Sequence, residues 1–148
     1  IDPIDKTLRI HNKNDLNLCF FCFRFGTKII LTTPTAITSI NTENTSKVIY
    51  EGTMTSLNVD LENASMIYLK GTATSLTGNL QNASKLDAGG LVTETVDLDL
   101  QNASKAEVNA TKSLKARAMN ASKLTQYGPA NTEDVKTLNG SDVETVLH

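Results

Sequence analysis

Apolar and polar residues alternate along most of this chain, in short runs on either side of a recurring polar tripeptide. Four and two residues ahead of its Asn stand Val59 and Leu61, Gly78 and Leu80, Leu98 and Leu100, and Ala116 and Ala118. Four and six residues after it come Val48 and Tyr50, Ile67 and Leu69, Leu86 and Ala88, and Ala106 and Val108. A period of two predicts strands with one buried face, whereas helices would repeat at three and four. The tripeptide is Asn-Ala-Ser in LENASMI, LQNASKL, LQNASKA and MNASKLT, with looser copies in ENTSKVI and LNGSDVE. Its asparagines, Asn44, Asn63, Asn82, Asn102, Asn120 and Asn139, follow one another at 19, 19, 20, 18 and 19 residues. A fixed period of that size marks a stacked repeat architecture.

Each unit carries a second polar landmark upstream of the tripeptide: Ser39-Ile40, Ser56-Leu57, Ser75-Leu76, Thr95-Val96, Ser113-Leu114 and Asp134-Val135. One unit thus has two short strands and two polar corners. At roughly 3.3 Å per residue it is too short for a long hairpin plus a crossover, but it fits one turn of a parallel β-helix. Equivalent strands of successive turns then pair in parallel at about 4.8 Å, and side chains one period apart stack in columns. Asn suits such a corner because it tolerates left-handed backbone angles and can hydrogen-bond along a stack of its own kind. Ala and Ser are small enough for a tight bend. The pattern leaves open whether Asn or Ser points inward. The 20-residue unit holds Gly89-Gly90, the expected place of an added residue, and the 18-residue unit is expected to shorten at Ala110-Thr111-Lys112.

The order of these features over SLTGNLQNASKLDAGGLVTETVDLDLQNASKAEVNATKSLKARAMNASKL resembles the head domain, or GIN domain, of auto-transporter adhesins, found mainly in Bacteroidetes. That family typically carries Ser-Gly-Ala-Ser-Lys in each turn, followed by a hydrophobic strand and a Thr or Ser corner. The resemblance runs from about Lys28, through KIILTTPTAITSI, to near the C-terminus, and departs from the family in using Asn where Gly is usual. It implies an all-β, single-stranded, right-handed parallel β-helix with about 19 residues per coil. It also implies export to the bacterial cell envelope, the outer surface or the extracellular space. No catalytic motif of the family is available to transfer to this chain.

A single domain over residues 1–148 is expected, with repeated coils over 34–148 and irregular N-terminal strands or a cap over 1–33. Within that first segment TLRIH and KIILTT could form a first coil, from Ile10 to Ile29. CFFCFRFG is apolar on both faces and reads as a cap on the open end of the core, or else as a surface packed on a neighbouring chain. Its Cys19 and Cys22 lie three apart, on opposite faces of a strand, which makes a local disulfide awkward. A zinc site needs about four ligands, and the only histidines are His11 and His148. Two buried thiols are the expected state, an oxidised pairing the alternative.

Composition narrows the function classes. A net charge of -2 with both signs mixed throughout argues against nucleic acid and anionic membranes as partners. No stretch approaches the roughly 18 to 20 apolar residues that span a bilayer. The chain opens on Ile1 and not on Met, consistent with a leader, an anchor or a vector-derived stub removed ahead of this numbering. No serine nucleophile elbow, Gly-rich phosphate loop, cofactor motif or metal pattern is present in the sequence.

Seven Asn-x-Ser/Thr sequons occur, at the six periodic asparagines and at Asn109. Six of them are explained by the corner, and glycans stacked about 4.8 Å apart would collide. Three residues after each periodic Asn come Lys47, Met66, Lys85, Lys105, Lys123 and Asp142, so Lys85, Lys105 and Lys123 are expected on adjacent coils of one outer face. Asp87 and Glu107, two residues further on, interleave with them. The plain reading is a solubilising surface of weak ion pairs; the sharper one is a ladder for an acidic glycan or polymer. Asp60, Glu62, Asp97 and Asp99 also point outward by parity. Asp97 and Asp99 share a face, as in β-helical polysaccharide enzymes that use carboxylates and calcium, although the neighbouring columns supply Asn58, Thr77, Lys115, Asn79 and Arg117. The functional expectation is a non-enzymatic, adhesin-like module presenting a repetitive polar face to a glycan, polymer or protein neighbour. The alternative is a polysaccharide-degrading enzyme using Asp97 and Asp99.

Overall fold

Two successive residues with left-handed backbone angles mark each Asn corner of the described coils. In the computed structural model, which describes residues 37–146, φ is 56° and 61° at Asn63-Ala64, 56° and 62° at Asn82-Ala83, and 55° and 61° at Asn102-Ala103 and Asn120-Ala121. Asn visits this region readily and Ala does so at a cost of about 1–2 kcal/mol, which the bonding around the corner offsets. The Ala N–H donates to the Asn carbonyl of the next coil, at 3.0 Å for Ala64 to Asn82 and 2.9 Å for Ala83 to Asn102. The following Ser turns inward and is buried, and its hydroxyl donates back to the carbonyl preceding Asn, at 2.6 Å for Ser65 to Glu62 and for Ser84 to Gln81. Asn faces outward, and this settles the orientation that the pattern left open.

Between corners the chain runs through eight strands: β1 (Ser39–Thr42), β2 (Lys47–Leu61), β3 (Met66–Leu80), β4 (Lys85–Leu100), β5 (Lys105–Met119), β6 (Lys123–Gln126), β7 (Thr132–Leu138) and β8 (Asp142–Thr145). All pairings are parallel, in the order β1-β2-β3-β4-β5-β6-β8, with β7 also on β5. Among the described residues there is no helix. The result is a β-solenoid of roughly six turns with about 19 residues per coil, the architecture read from the sequence. Its interior is a set of columns. Ile67, Leu86, Ala106 and Leu124 lie in register and buried, as do Leu57, Leu76, Val96 and Leu114. Each fully buried Leu contributes about 1.5–3 kcal/mol.

The added residue of the 20-residue coil lies at Gly89-Gly90, since Tyr68 pairs with Asp87 but Lys70 with Gly90. The shortening of the next coil does not lie at Ala110-Thr111-Lys112. Ala88 and Val92 of β4 face the consecutive residues Val108 and Asn109 of β5, so the loss falls there, and an extra residue is present between Ala110 and Ser113. Two outer landmarks also shift. Ser39-Ile40 pairs with Asn58-Val59, and Asp134-Val135 with Lys115-Ala116, each two residues beyond the expected Ser-Leu pair. A slip of two keeps the inside and outside faces unchanged, so alternation alone cannot detect it.

Where β6 ends, a buried polar side chain replaces the missing strand pairing. Gln126 accepts from the Ala110 N–H at 3.1 Å and donates to the carbonyls of Ala110, at 2.8 Å, and Gly128, at 3.1 Å. Gly128 passes so close to the Ala110 carbonyl oxygen that a β-carbon there would collide with it. The expectations for Ile10 to Ile29, Cys19, Cys22 and the N-terminal cap fall outside the described residues.

Candidate functional site

The outer surface repeats as the core does, because each outward position stacks on its equivalent one coil away. The asparagines form a hydrogen-bonded ladder: Asn82 Nδ2 donates to Asn63 Oδ1 at 3.2 Å, Asn102 to Asn82 at 3.1 Å, Asn120 to Asn102 at 2.9 Å and Asn139 to Asn120 at 2.8 Å. The rung from Asn63 to Asn44 is longer, at 3.5 Å. With both amide groups engaged along the stack, these side chains serve the corner.

The face that follows the corner carries the lysine column. Lys85, Lys105 and Lys123 are Cα partners on β4, β5 and β6, with Met66 on one side of the three and Asp142 on the other. The next outward column is Ile49, Tyr68, Asp87, Glu107, Thr125 and Glu144. Lys85 Nζ reaches Glu107 at 3.3 Å, and Lys123 Nζ reaches Glu144 at 3.0 Å and Asp142 at 3.7 Å. Lys105 has no ion-pair partner among the described residues. The hydrogen bond that Lys85 donates to Glu107 holds its ammonium above its ordinary value, against the opposing effect of burial. The hydrogen bond that Lys123 donates to Glu144 does the same for Lys123.

Tyrosines join this face in a way the sequence reading did not find. The ring of Tyr68 lies under Lys47, with Nζ 4.7 Å from its centroid. Tyr127 packs beside Gly89 and its hydroxyl donates to Glu107 Oε2 at 3.3 Å. The negative charge of Glu107 pushes the Tyr127 phenol up, and burial adds to it. Tyr68 was within reach of the sequence, since it stands 19 residues before Asp87; Tyr127 lies off the columns and was not. One end of the face is apolar, with Ile49 at 70% and Met66 at 41% exposure, and the other is charged.

The second strand segment of each coil carries Asp97 and Asp99. Asp97 is bound by Lys115 at 2.8 Å, and its hydrogen bond raises the Lys115 ammonium. Asp99 accepts from Gln101 Nε2 at 3.3 Å and is the register neighbour of Arg117. Together they border an open depression of about 280 Å³ shared with Lys115, Arg117, Asp134 and Lys136. Asp60, two coils away in the Asp99 column, accepts from the amides of Asn58 and Asn79, both at 2.9 Å. Among the described residues, no three His, Cys, Asp or Glu side chains converge as a metal site would require. Nor is any described helix long and apolar enough to cross a membrane.

Residues 4–130 match the family model described as "Putative auto-transporter adhesin, head GIN domain". No curated protein and no solved structure matches the chain. The described coils continue past the matched segment, through β7 and β8.

Proposed function

The chain belongs to the head-domain family of auto-transporter adhesins, and from that premise we propose that it is an exported, surface-exposed, non-enzymatic binding module. Its ligand is an extended acidic polymer, such as a carboxylated glycan, laid along the lysine column. The observation that supports this reading is the register of Lys85, Lys105 and Lys123 on three consecutive coils, which offers cations at about the 4.8 Å strand spacing. Lys105 is uncommitted, Lys123 is held only by exposed pairs and Lys85 by a single half-buried one; exposed pairs are worth about 0–1 kcal/mol each, so a polyanion can take over Lys105 and Lys123 at small cost and compete with Glu107 for Lys85. Asp87 and Glu107 set a limit on charge density and favour a polymer that carries hydroxyls between its carboxylates.

The test is binding to polygalacturonate and to an array of acidic glycans, comparing the native chain with a Lys85→Ala, Lys105→Ala, Lys123→Ala variant. The expected outcome is binding that weakens with salt and falls by about tenfold or more in the variant. Unchanged affinity in a folded variant removes the column from the site.

A second reading rests on the depression beside Asp97 and Asp99. If it houses a polysaccharide-cleaving site, new reducing or unsaturated ends will accumulate when the protein is incubated with acidic polysaccharides, and Asp99→Asn will abolish them. If no ends form, that reading is lost and the binding module stands.

A further inference from the structure

In a rod built from one repeated unit, the place where the repeat is broken carries information that the regular columns do not. Among the described residues, the register shifts between β3, β4 and β5 lie in one stretch of the coil, away from the Asn-Ala-Ser corner. They fall between Tyr68 and Lys70 of β3, and between Ala88 and Val92 and between Thr93 and Thr95 of β4. Irregularities of this kind cost strand pairing and recur beside binding sites, where they re-aim side chains. Along the same stretch runs an open groove of about 340 Å³. Its walls are Thr53, Thr72, Thr74 and Thr111, with Val92 and Glu94. Buried Met54 and Ala73 form its floor.

The chemistry of this groove differs from that of the lysine face. Thr72 donates to Thr53 Oγ1 at 3.3 Å, leaving the Thr53 proton to point elsewhere, and the Thr74 hydroxyl has no hydrogen bond among the described residues. Thr111 donates to the Thr93 carbonyl at 3.1 Å and keeps its lone pairs free to accept. Glu94, the one charged wall residue, is neutralised by Lys112 at 2.7 Å. Val92 stands 46% exposed, an apolar contact among the hydroxyls. Closely spaced hydroxyls that both donate and accept, an apolar side chain and no net charge match a ligand whose surface alternates hydroxyl and C–H groups. The geometry points to a second binding site here, for a neutral glycan segment, separate from the lysine column and independent of it.

The test is a titration of the ¹⁵N-labelled chain with cellohexaose, mannohexaose and maltohexaose, followed by amide chemical shifts. At least one hexaose is expected to move Thr72, Thr74, Val92 and Thr111 and their neighbours. A folded Thr72→Val, Thr74→Val variant is expected to bind it about tenfold more weakly, and the triple lysine variant to bind it within about twofold of the native chain. No perturbation by any hexaose at millimolar concentration overturns the proposal. So do shifts that map to another face, or native-like affinity in the folded threonine variant.

Discussion

Leu114 and Glu133 are Cα partners on successive coils, yet one is fully buried and the other exposed. The contrast extends around the coil. Ala118 is followed in its column by Thr137, and buried Gln126 by Thr145. Val135 and Val143, the apolar inner residues that remain on β7 and β8, are only half-buried. A coil in the middle is covered on both sides, so any polar inner side chain there must find a partner or lose several kcal/mol of hydration. The last described coil has a described neighbour on one side only, and water reaches its inner positions. There Thr145 makes a long hydrogen bond, 3.5 Å, to Glu133 across the coil. Polar inner residues of this kind also discourage unwanted pairing at an open edge. One sequence period thus serves two regimes, and the difference is a matter of coverage.

Six substitutions test this contrast, and urea unfolding midpoints measure each. The largest effect is expected from Leu86→Ala in the middle, which empties a fully covered column and costs about 2–5 kcal/mol, while Val143→Ala in the same column costs about 1 kcal/mol. Equal losses would mean that the last coil is as well packed as the middle. Next comes Gln126→Leu. It leaves buried backbone groups of Ala110 and Gly128 without partners and is expected to cost about 3 kcal/mol, although leucine is the more apolar residue. A neutral or stabilising result would show that water reaches this junction. The smallest effects concern the ladder. Asn82→Gly keeps the left-handed corner but removes two rungs, for an expected loss of about 1 kcal/mol. Asn82→Ala adds a further 1 kcal/mol or so of backbone strain. Asn139→Gly removes a single rung and is expected to fall below Asn82→Gly.

The corner also explains why Asn can stand where the resemblance drawn from the sequence leads one to expect Gly. Gly and Asn are the two residues that enter the left-handed region most readily, so either can occupy the first position of this bend. Asn then adds the ladder, which Gly cannot form. This much was legible: the position of Asn and the smallness of Ala and Ser follow from the bend. The inward turn of Ser was not, because both residues can bond locally. It depended on the back-bond from Ser65 to the Glu62 carbonyl and on Asn meeting Asn across coils.

Legibility was more uneven for the candidate sites. The stacking of Lys85, Lys105 and Lys123 could be counted from the period, and so could the shared face of Asp97 and Asp99. The pairing of Lys85 with Glu107 and not with Asp87, the reach of Tyr127 to Glu107, and the threonine groove could not. These depend on where individual side chains end in space, and for Tyr127 and the groove on irregular stretches where the count fails.

The sequence by itself determined that this chain coils into parallel strands of about 19 residues per turn. It did so because alternation fixes which side chains are buried and the period fixes which ones meet. Only the tertiary structure decided the register at the bulges and at the outer coils, since a shift of two residues leaves every face as it was. It also decided which exposed charges pair, because that is set by through-space distances that no linear count contains.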